Sequence, residues 1–315
     1  MKRSETEQKK ARTTGSQLKL TSIWRGWYFY TDDFSSLNSK FMKKEFGHSL
    51  YSHPFTGKIH PDYDKEQIIQ FLSRCPSLKK DPEFRILLDA RNLVGSIPLP
   101  IDKNQTIDVV IKEFRTMGVD TLKTIFSASK AAKAWRGATA LLQYQIPTPF
   151  PIAYLERKRK GTTEQGFFVS EYIEDGEEIR PLLHSLPDPE MLQLLQELAS
   201  QARRWHEHGI LHRDLSDGNI LVRKPKDGQF ELCLTDTNRI RVKKKIRSLL
   251  GVKNLIRLGI PPNFQKKFLA LYTKKPQSRK SLWIWYRFNK RAYMSYIRFK
   301  KALRLKKIVR KLRLQ

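Results

Sequence analysis

The chain has 315 residues and a formal net charge of +30, from 61 lysines and arginines against 31 aspartates and glutamates. This length allows one large or two modest domains with a real hydrophobic core. Its two cysteines, Cys75 and Cys233, lie far apart, which argues against a disulfide framework and against a zinc site. The polar start lacks the apolar core of a signal peptide, and no uninterrupted apolar run approaches about eighteen residues. We therefore expect a cytosolic protein that no helix anchors across a membrane.

The positive charge is concentrated towards the C-terminus. Of the 61 basic residues, 26 lie between Thr237 and Gln315, where there is no aspartate or glutamate. The other 35 face all 31 acidic residues, so the rest of the chain has the balance of an ordinary globular protein. A segment of one sign is expected to seek a polyanion. The candidates are an anionic membrane surface, a phosphorylated glycolipid and nucleic acid.

The first eighty residues give the weakest signal. Residues 1 to about 20 are polar and are predicted to be disordered. Residues 21–83 form an N-terminal extension for which the sequence indicates no role, apart from a short helix predicted over Glu66–Leu72.

Three strand-like runs follow, at residues 84–88, 93–99 and 107–114. They are rich in aliphatic and β-branched residues and are separated by turn residues. The third run carries a single lysine, Lys112, in the sequence Val-Val-Ile-Lys. Taken alone, this residue reads as an ordinary lysine at a strand end.

The middle of the chain predicts two helices on either side of further strands. The first helix spans Ser127–Gln143, with Ser127 or Ser129 as its N-cap, and prolines at 147–151 end it. A strand at 166–173 is followed by acidic residues. A long amphipathic helix then begins at Asp188-Pro189-Glu190 and continues to about His208.

The long helix leads into the most informative stretch of the sequence, residues 212–222. It contains His-Arg-Asp at 212–214 and an asparagine, Asn219, five residues after Asp214; a predicted hairpin then presents a second carboxylate, Asp236. Phosphoryl transfer from ATP uses such a set. One carboxylate orients the acceptor hydroxyl, and the asparagine and the second carboxylate hold Mg²⁺. The spacing is the catalytic-loop signature of protein-kinase-like folds.

In this frame Lys112 stands where a lysine reaches the α- and β-phosphates of ATP. Backbone groups at Glu171, Tyr172 and Ile173, in the segment that joins two lobes, are predicted to contact adenine. One expected group is missing. The helix after the lysine strand normally supplies a glutamate, yet no acidic residue occurs between Asp120 and Glu156. Either another group orients Lys112 or the site is weakened.

The chain beyond Asp236 departs from protein kinases. It reads Thr237-Asn238 in place of Phe-Gly, and no activation loop follows. Helices are predicted at 246–258, at 262–273 and from about Leu282, the last with aromatic and basic residues interleaved. That composition is typical of a helix lying in a membrane interface. For the apolar stripe formed by Leu305, Ile308, Val309 and Leu312, packing on the protein body stays open as the alternative.

These residues together resemble the lipopolysaccharide kinase (Kdo/WaaP) family, whose members phosphorylate Kdo or heptose sugars of bacterial lipopolysaccharide. The resemblance covers about residues 84–275. It implies an α+β, two-lobed protein-kinase-like fold, with a β-rich N-lobe at about 84–170, a helical C-lobe at about 174–275 and a basic helical tail at 276–315. The resemblance rests on Lys112, Ser129–Arg136, Ile146–Pro149, residues 212–219 and Thr235–Arg239.

The resemblance also implies the roles of individual residues. Asp214 would be the catalytic base, Asn219 and Asp236 the Mg²⁺ ligands, and Lys112 the group that holds the ATP phosphates. His212 and Arg213 would shape the loop, Asp217 would contact acceptor or metal, and Asn238 would support the metal site or cap a turn.

The sequence therefore predicts an ATP- and Mg²⁺-dependent sugar kinase acting on a lipopolysaccharide core at the cytoplasmic face of the membrane, where its basic C-terminus binds the anionic surface. Two alternatives remain. One is an atypical Ser/Thr protein kinase whose basic tail binds RNA. The other is a non-catalytic, pseudokinase-like scaffold that binds membrane or nucleic acid.

Overall fold

The computed structural model describes residues 47–102, 105–115, 124, 127–224, 228–274 and 280–312, with side chains up to Leu303. The expectation of disorder for residues 1–20 lies outside these ranges. The described chain divides into two compact units. The first unit contains the residues up to Asp175 and the short segment Cys233–Arg239; the second contains Gly176–Leu232 and the residues from Ile240 onward.

The first unit is built on an antiparallel sheet of seven strands, in the order β1-β2-β6-β7-β5-β4-β3. All three strands predicted at 84–114 form, and they make one edge of this sheet. The strands are β1 (His48–Ser52), β2 (Phe55–Ile59), β3 (Arg85–Asp89), β4 (Leu93–Asp102), β5 (Gln105–Glu113), β6 (Pro151–Arg159) and β7 (Thr162–Glu171).

The sheet begins earlier in the chain than the expected lobe boundary at residue 84. Strands β1 and β2 pair with each other, and β2 continues onto β6. Helix α1 (Glu66–Ser73) covers the same core through Ile68, Phe71 and Leu72. The part of the N-terminal extension from residue 48 onward is therefore part of this unit, because its alternating apolar residues complete the buried face of the sheet.

The predicted helix after the third strand is α2 (Lys130–Gln143). Of the two candidate caps, Ser129 is the one used: its hydroxyl accepts a hydrogen bond from Ala132 N at 3.0 Å. The inner face of α2 is alanine-rich, which lets the helix lie close to strands β6 and β7, with Trp135 buried between them.

The second unit is mainly helical. Its core helix, α4, starts at Asp188 as predicted and buries Leu194, Leu198 and Trp205. The helices are α3 (Ile179–Ser185), α4 (Asp188–Glu207), α5 (Ser248–Asn254), α6 (Gln265–Thr273) and α7 (Lys280–Leu312). The short strands are β8 (Glu177–Glu178), β9 (Ile210–His212), β10 (Ile220–Arg223), β11 (Glu231–Leu234) and β12 (Ile240–Val242). The predicted hairpin is β10 and β11, and β9 pairs with β12.

The first half of helix α7 is packed within the second unit. It packs on α5 and on the 3-10 turn at 255–257. Tyr286 and Asn289 are buried, and Trp285 Nε1 donates to the carbonyl of Leu249 at 2.9 Å. The described side chains from Arg298 to Leu303 are all exposed. The expected tail boundary at 276 therefore moves, because Tyr286 and Asn289 pack against the rest of the second unit, whereas Ile284, Phe288 and Tyr296 are exposed. The side chains of the apolar stripe predicted at 305–312 lie outside the described residues. Within the described residues, no helix combines the length and apolar character needed to cross a membrane.

Candidate active site

The lysine and the second carboxylate predicted from the sequence meet in the first unit. Lys112 lies on the inner strand β5, between Val94 of β4 and Phe168 of β7. Its Nζ is 2.5 Å from Asp236 Oδ1, and both side chains are about one-fifth exposed, at 21% and 20%. A lysine and a carboxylate this close and this shielded form a strong charge-assisted pair.

Hydrogen bonds fix the backbone before and after Asp236. Asp236 itself has φ of +51°, a left-handed conformation that aspartate tolerates better than most residues. Before it, Leu234 N donates to Pro147 O at 2.9 Å, and the Thr148 hydroxyl donates to Leu234 O at 2.8 Å. After it, the Thr237 hydroxyl donates to Ala134 O of α2 at 2.9 Å. The Ile-Pro-Thr-Pro turn thus serves to fix the segment that carries Asp236.

The question of what orients Lys112 has an answer in these contacts. Helix α2 carries basic residues and no acid, so it offers the lysine no carboxylate. Asp236 takes that place, and the Phe114 ring lies below Nζ with its centroid at 5.3 Å. The second carboxylate oxygen of Asp236, Oδ2, lies 3.6 Å from Arg239 Nε. Asp236 is therefore held between two cations, and this arrangement compensates its charge.

The segment predicted to contact adenine is only partly available. Glu171 N donates to Phe150 O and Tyr172 N donates to Asp108 O, both at 2.9 Å. The Glu171 carboxylate accepts a hydrogen bond from the Tyr63 hydroxyl. Two of the three peptide N–H groups predicted for adenine are thus committed within the first unit. An adenine contact here would have to use Ile173 or the carbonyl groups of the segment.

The catalytic loop, residues 212–219, lies in the second unit and joins the other two predicted site residues. Asn219 Nδ2 donates to Asp214 O at 2.7 Å, and Asn219 N donates to Ser216 O at 2.9 Å. Because the amide nitrogen is used inside the loop, the oxygen Oδ1 is the end of Asn219 left to face a ligand. His212 Nδ1 accepts from Asp214 N at 3.2 Å, which supports the predicted loop-shaping role of His212.

A second segment, residues 254–259, holds the catalytic loop at three points; we call it the clasp segment. Asn254 Nδ2 donates to His212 O at 2.8 Å, and Gly259 N donates to Asp217 Oδ1 at 2.6 Å. Between them, Arg257 Nη2 lies 2.6 Å from Asp214 Oδ1. Through this oxygen Asp217, which is predicted to contact acceptor or metal, ties the two segments together.

No feature of the sequence pointed to Arg257. It stands in no motif, and its partner Asp214 is 43 positions earlier. The buried His206 continues the same network: Nε2 contacts Asn254 Oδ1 at 3.1 Å and Nδ1 contacts the Tyr272 hydroxyl at 2.7 Å. Burial lowers the pKa of His206, so the ring is neutral at neutral pH.

The residues present suit a magnesium nucleotide better than a protein-enclosed metal. Among the described residues, no group of three or more His, Cys, Asp or Glu side chains could hold a metal ion. Mg²⁺ at kinase sites takes one or two protein oxygens and completes its shell with phosphates and water. Asp236 and Asn219 each carry a side-chain oxygen of this kind. Two residues after Asp236, Asn238 Oδ1 is buried and has no hydrogen-bond partner among the described residues.

The surroundings of the two cysteines determine their reactivity. Cys75 and Cys233 are both free and buried. Burial raises the pKa of the Cys75 thiol to about 12 and raises that of Cys233 as well, so neither is a ready nucleophile or metal ligand.

Comparison with known proteins agrees with this geometry. Residues 120–266 match the model of the lipopolysaccharide kinase (Kdo/WaaP) family. Over these residues, slightly less than half of the chain, the sequence is similar to that family. The matched range includes Asp214, Asn219 and Asp236 and begins just after Lys112, so the family recognised from the motifs is confirmed.

Two further proteins are similar to parts of this chain. A solved structure, WaaP in complex with acyl carrier protein, aligns with a TM-score of 0.50 and 17% identity over 69% of this chain and 91% of that one. This likeness confirms the predicted α+β, protein-kinase-like fold. The KEOPS complex subunit Bud32 of Pyrococcus abyssi is 41% identical over 64 residues, 20% of this chain. The match spans only 29% of that relative's length.

Proposed function

We propose that this chain transfers the γ-phosphate of ATP to a Kdo or heptose hydroxyl of a lipopolysaccharide core. One observation carries the proposal: all four groups that phosphoryl transfer needs are present and held. Lys112 is paired with Asp236 in the first unit, and Asp214 is bonded to Asn219 in the second. A scaffold without activity has no need to keep this set, which argues against the non-catalytic alternative.

The reaction follows from the roles of these side chains. Asp214 orients the acceptor hydroxyl and takes its proton as the sugar oxygen bonds to the γ-phosphorus. The bond from that phosphorus to the β–γ bridging oxygen breaks, and ADP leaves. Lys112 exchanges its contact with Asp236 for the α- and β-phosphates, which frees the Asp236 carboxylate for the metal. Bound Mg²⁺, held by Asn219 and Asp236, would offset the charge on the phosphates.

The decisive experiment is transfer of radiolabelled phosphate from ATP to purified lipopolysaccharide. Asp214→Asn removes the proton acceptor without changing side-chain size, so transfer should fall by at least about a hundredfold while nucleotide binding persists. Asp188→Asn, an exposed carboxylate of the same unit at the start of α4, is the matched control and should keep full activity. Transfer that survives in Asp214→Asn would refute the assignment of the base.

The proposed place of action is the inner face of the cytoplasmic membrane, and the exposed end of α7 supports it. Phe299 and Leu303 are exposed alongside Arg298, Lys300 and Lys301. Each basic residue near an anionic surface contributes about 1 kcal/mol, and exposed aromatic rings add apolar contact.

Vesicle flotation tests this location. The deletion should remove only residues 298–315, because a cut at residue 280 would also remove the buried Tyr286 and damage the second unit. The full chain should float with vesicles containing anionic lipid and stay unbound to neutral ones, and the shortened chain should lose most of this binding. Equal flotation of both forms would contradict the proposal.

The same assays decide between the acceptors left open by the sequence. A Ser/Thr protein kinase with an RNA-binding tail would label protein and retain RNA while leaving lipopolysaccharide unlabelled.

The acyl carrier protein complex of the structural neighbour adds one candidate partner for this chain. Retention of this chain on immobilised acyl carrier protein, compared with an unrelated protein of similar charge, would support that partner.

A further inference from the structure

We propose that Arg257 is the positioning residue for Asp214, and that Tyr293 of helix α7 holds Arg257 in place. The inference rests on the proposed function and deepens it. It makes the packed half of the basic helix a working part of the phosphotransfer site, in addition to any binding of a surface by its exposed end.

The three contacts of the clasp segment involve different groups of the catalytic loop. Asn254 binds the backbone carbonyl of His212, and Gly259 binds the carboxylate of Asp217. Both contacts fix the path of the catalytic loop. Arg257 is different, because its Nη2 lies 2.6 Å from Oδ1 of Asp214, the carboxylate that performs the chemistry. This contact is an ion pair by distance, and Asp214 Oδ1 makes no hydrogen bond of good geometry among the described residues. The guanidinium charge beside Oδ1 favours one orientation of the carboxylate, in which Oδ2 is the oxygen presented to an acceptor hydroxyl.

The position of Arg257 depends on the terminal helix. Its Nε is buried and has no hydrogen-bond acceptor among the described residues. The guanidinium carbon lies 5.4 Å from the centroid of the Tyr293 ring, a cation–π distance. A planar guanidinium with an uncommitted Nε takes its orientation from the surface it lies against. Here that surface is the tyrosine ring.

Helix α7 is itself fixed beside the clasp segment. Lys290, one turn before Tyr293, donates from Nζ to the carbonyl of Leu258 at 2.8 Å. Desolvation lowers the pKa of Lys290, while the charge of Asp217 acts in the opposite direction. The contacts of Lys290 and Tyr293 thus bracket Arg257, and they connect the helix to Asp214 through a single intermediate side chain.

The test uses paired substitutions and separates kcat from KM. Arg257→Met should lower kcat for phosphate transfer by about thirtyfold or more, and Arg257→Lys should recover part of the loss because it keeps the charge but not the planar fork. Tyr293→Leu removes the ring and should lower kcat by about five- to tenfold. Tyr293→Phe keeps the ring and should stay within about twofold of wild type. KM for ATP should change little in all four, because none of these side chains belongs to the Lys112–Asp236 pair.

The matched control lies on the same helix. Arg287 lies over the Trp283 ring at 5.7 Å, a cation–π pair of similar distance that has no contact with the catalytic loop in the structure. Arg287→Met should leave kcat unchanged, and thermal melting of every variant shows whether any loss of rate reflects unfolding. A kcat in Tyr293→Leu equal to wild type, an equal fall in Arg287→Met, or an unchanged or raised kcat in Arg257→Met would overturn the inference.

A second assay tests the role of Arg257 independently of the proposed acceptor. It measures the rate at which wild type and each variant hydrolyse Mg-ATP when no acceptor is added. If wild type hydrolyses ATP but labels no lipopolysaccharide, the acceptor assignment fails while the order of the variants still decides the role of Arg257. A wild-type protein that does neither would overturn both proposals, whatever the variants do.

Discussion

The hydroxyl of Thr148 offers the sharpest check on how the site is held together. This side chain is 2% exposed, and its hydroxyl donates at 2.8 Å to the carbonyl of the fully buried Leu234, two residues before Asp236. Valine has nearly the same shape, so Thr148→Val deletes the donor without opening a cavity. The carbonyl of Leu234 then loses this partner where no water reaches it, at an expected cost of about 1–3 kcal/mol.

The expected loss is measurable in two ways. For a protein of this size, about 1 kcal/mol corresponds to about 2–4 °C in Tm, so Thr148→Val should melt about 2–12 °C below wild type. Because the bond fixes the strand end that presents Asp236, kcat for phosphate transfer should also fall by about tenfold. Urea unfolding followed by tryptophan fluorescence, together with the transfer assay, measures both quantities.

Two further variants provide a control and a second test for Thr148→Val. Thr162→Val removes a hydroxyl that also donates at 2.8 Å to a backbone carbonyl, that of Arg159, but at the surface; it should change stability by less than about 0.5 kcal/mol. Thr237→Val removes the second tie, to Ala134 O, and should resemble Thr148→Val. If Thr148→Val is as stable and as active as Thr162→Val, the view that these buried hydroxyls position Asp236 is wrong.

Three other outcomes follow from the contacts described. Lys112→Met should raise KM for ATP and lower kcat by more than about a hundredfold, measured by steady-state transfer, whereas unchanged kinetics would remove Lys112 from the nucleotide site. Gly251→Ala would place a Cβ 2.3 Å from the Tyr272 hydroxyl; the fall in stability should be about 1–3 kcal/mol by urea unfolding, and a gain would show that the ring moves freely. The pKa of His206 is lowered in the folded chain, so the unfolded chain binds this proton more readily and stability should fall as the pH drops below about 6.5. A His206→Gln variant should show a weaker fall over the same pH range.

Most elements of the fold could be predicted, and the residues proposed for the site could be named, because their signals are local. Strand alternation, the proline and acidic residues at the start of α4, and the spacing from Asp214 to Asn219 each lie within a few turns of chain. The same locality explains why residues 48–59 received no role. Two short strands separated from their partner β6 by about ninety residues carry little information until the sheet is assembled.

Only the tertiary structure determines which side chains and backbone groups are in contact. The partner of Lys112 is 124 positions away and the carbonyl bound by Thr148 is 86 away, and no local pattern encodes either pairing. The missing helix glutamate left the lysine without an expected partner, and the fold places Asp236 there. Arg257 and Tyr293 could not be found at all, because a lone arginine in an acid-free, strongly basic segment looks like its neighbours. The sequence by itself determined the chemistry of the site; packing over long separations determined the geometry in which these side chains are held.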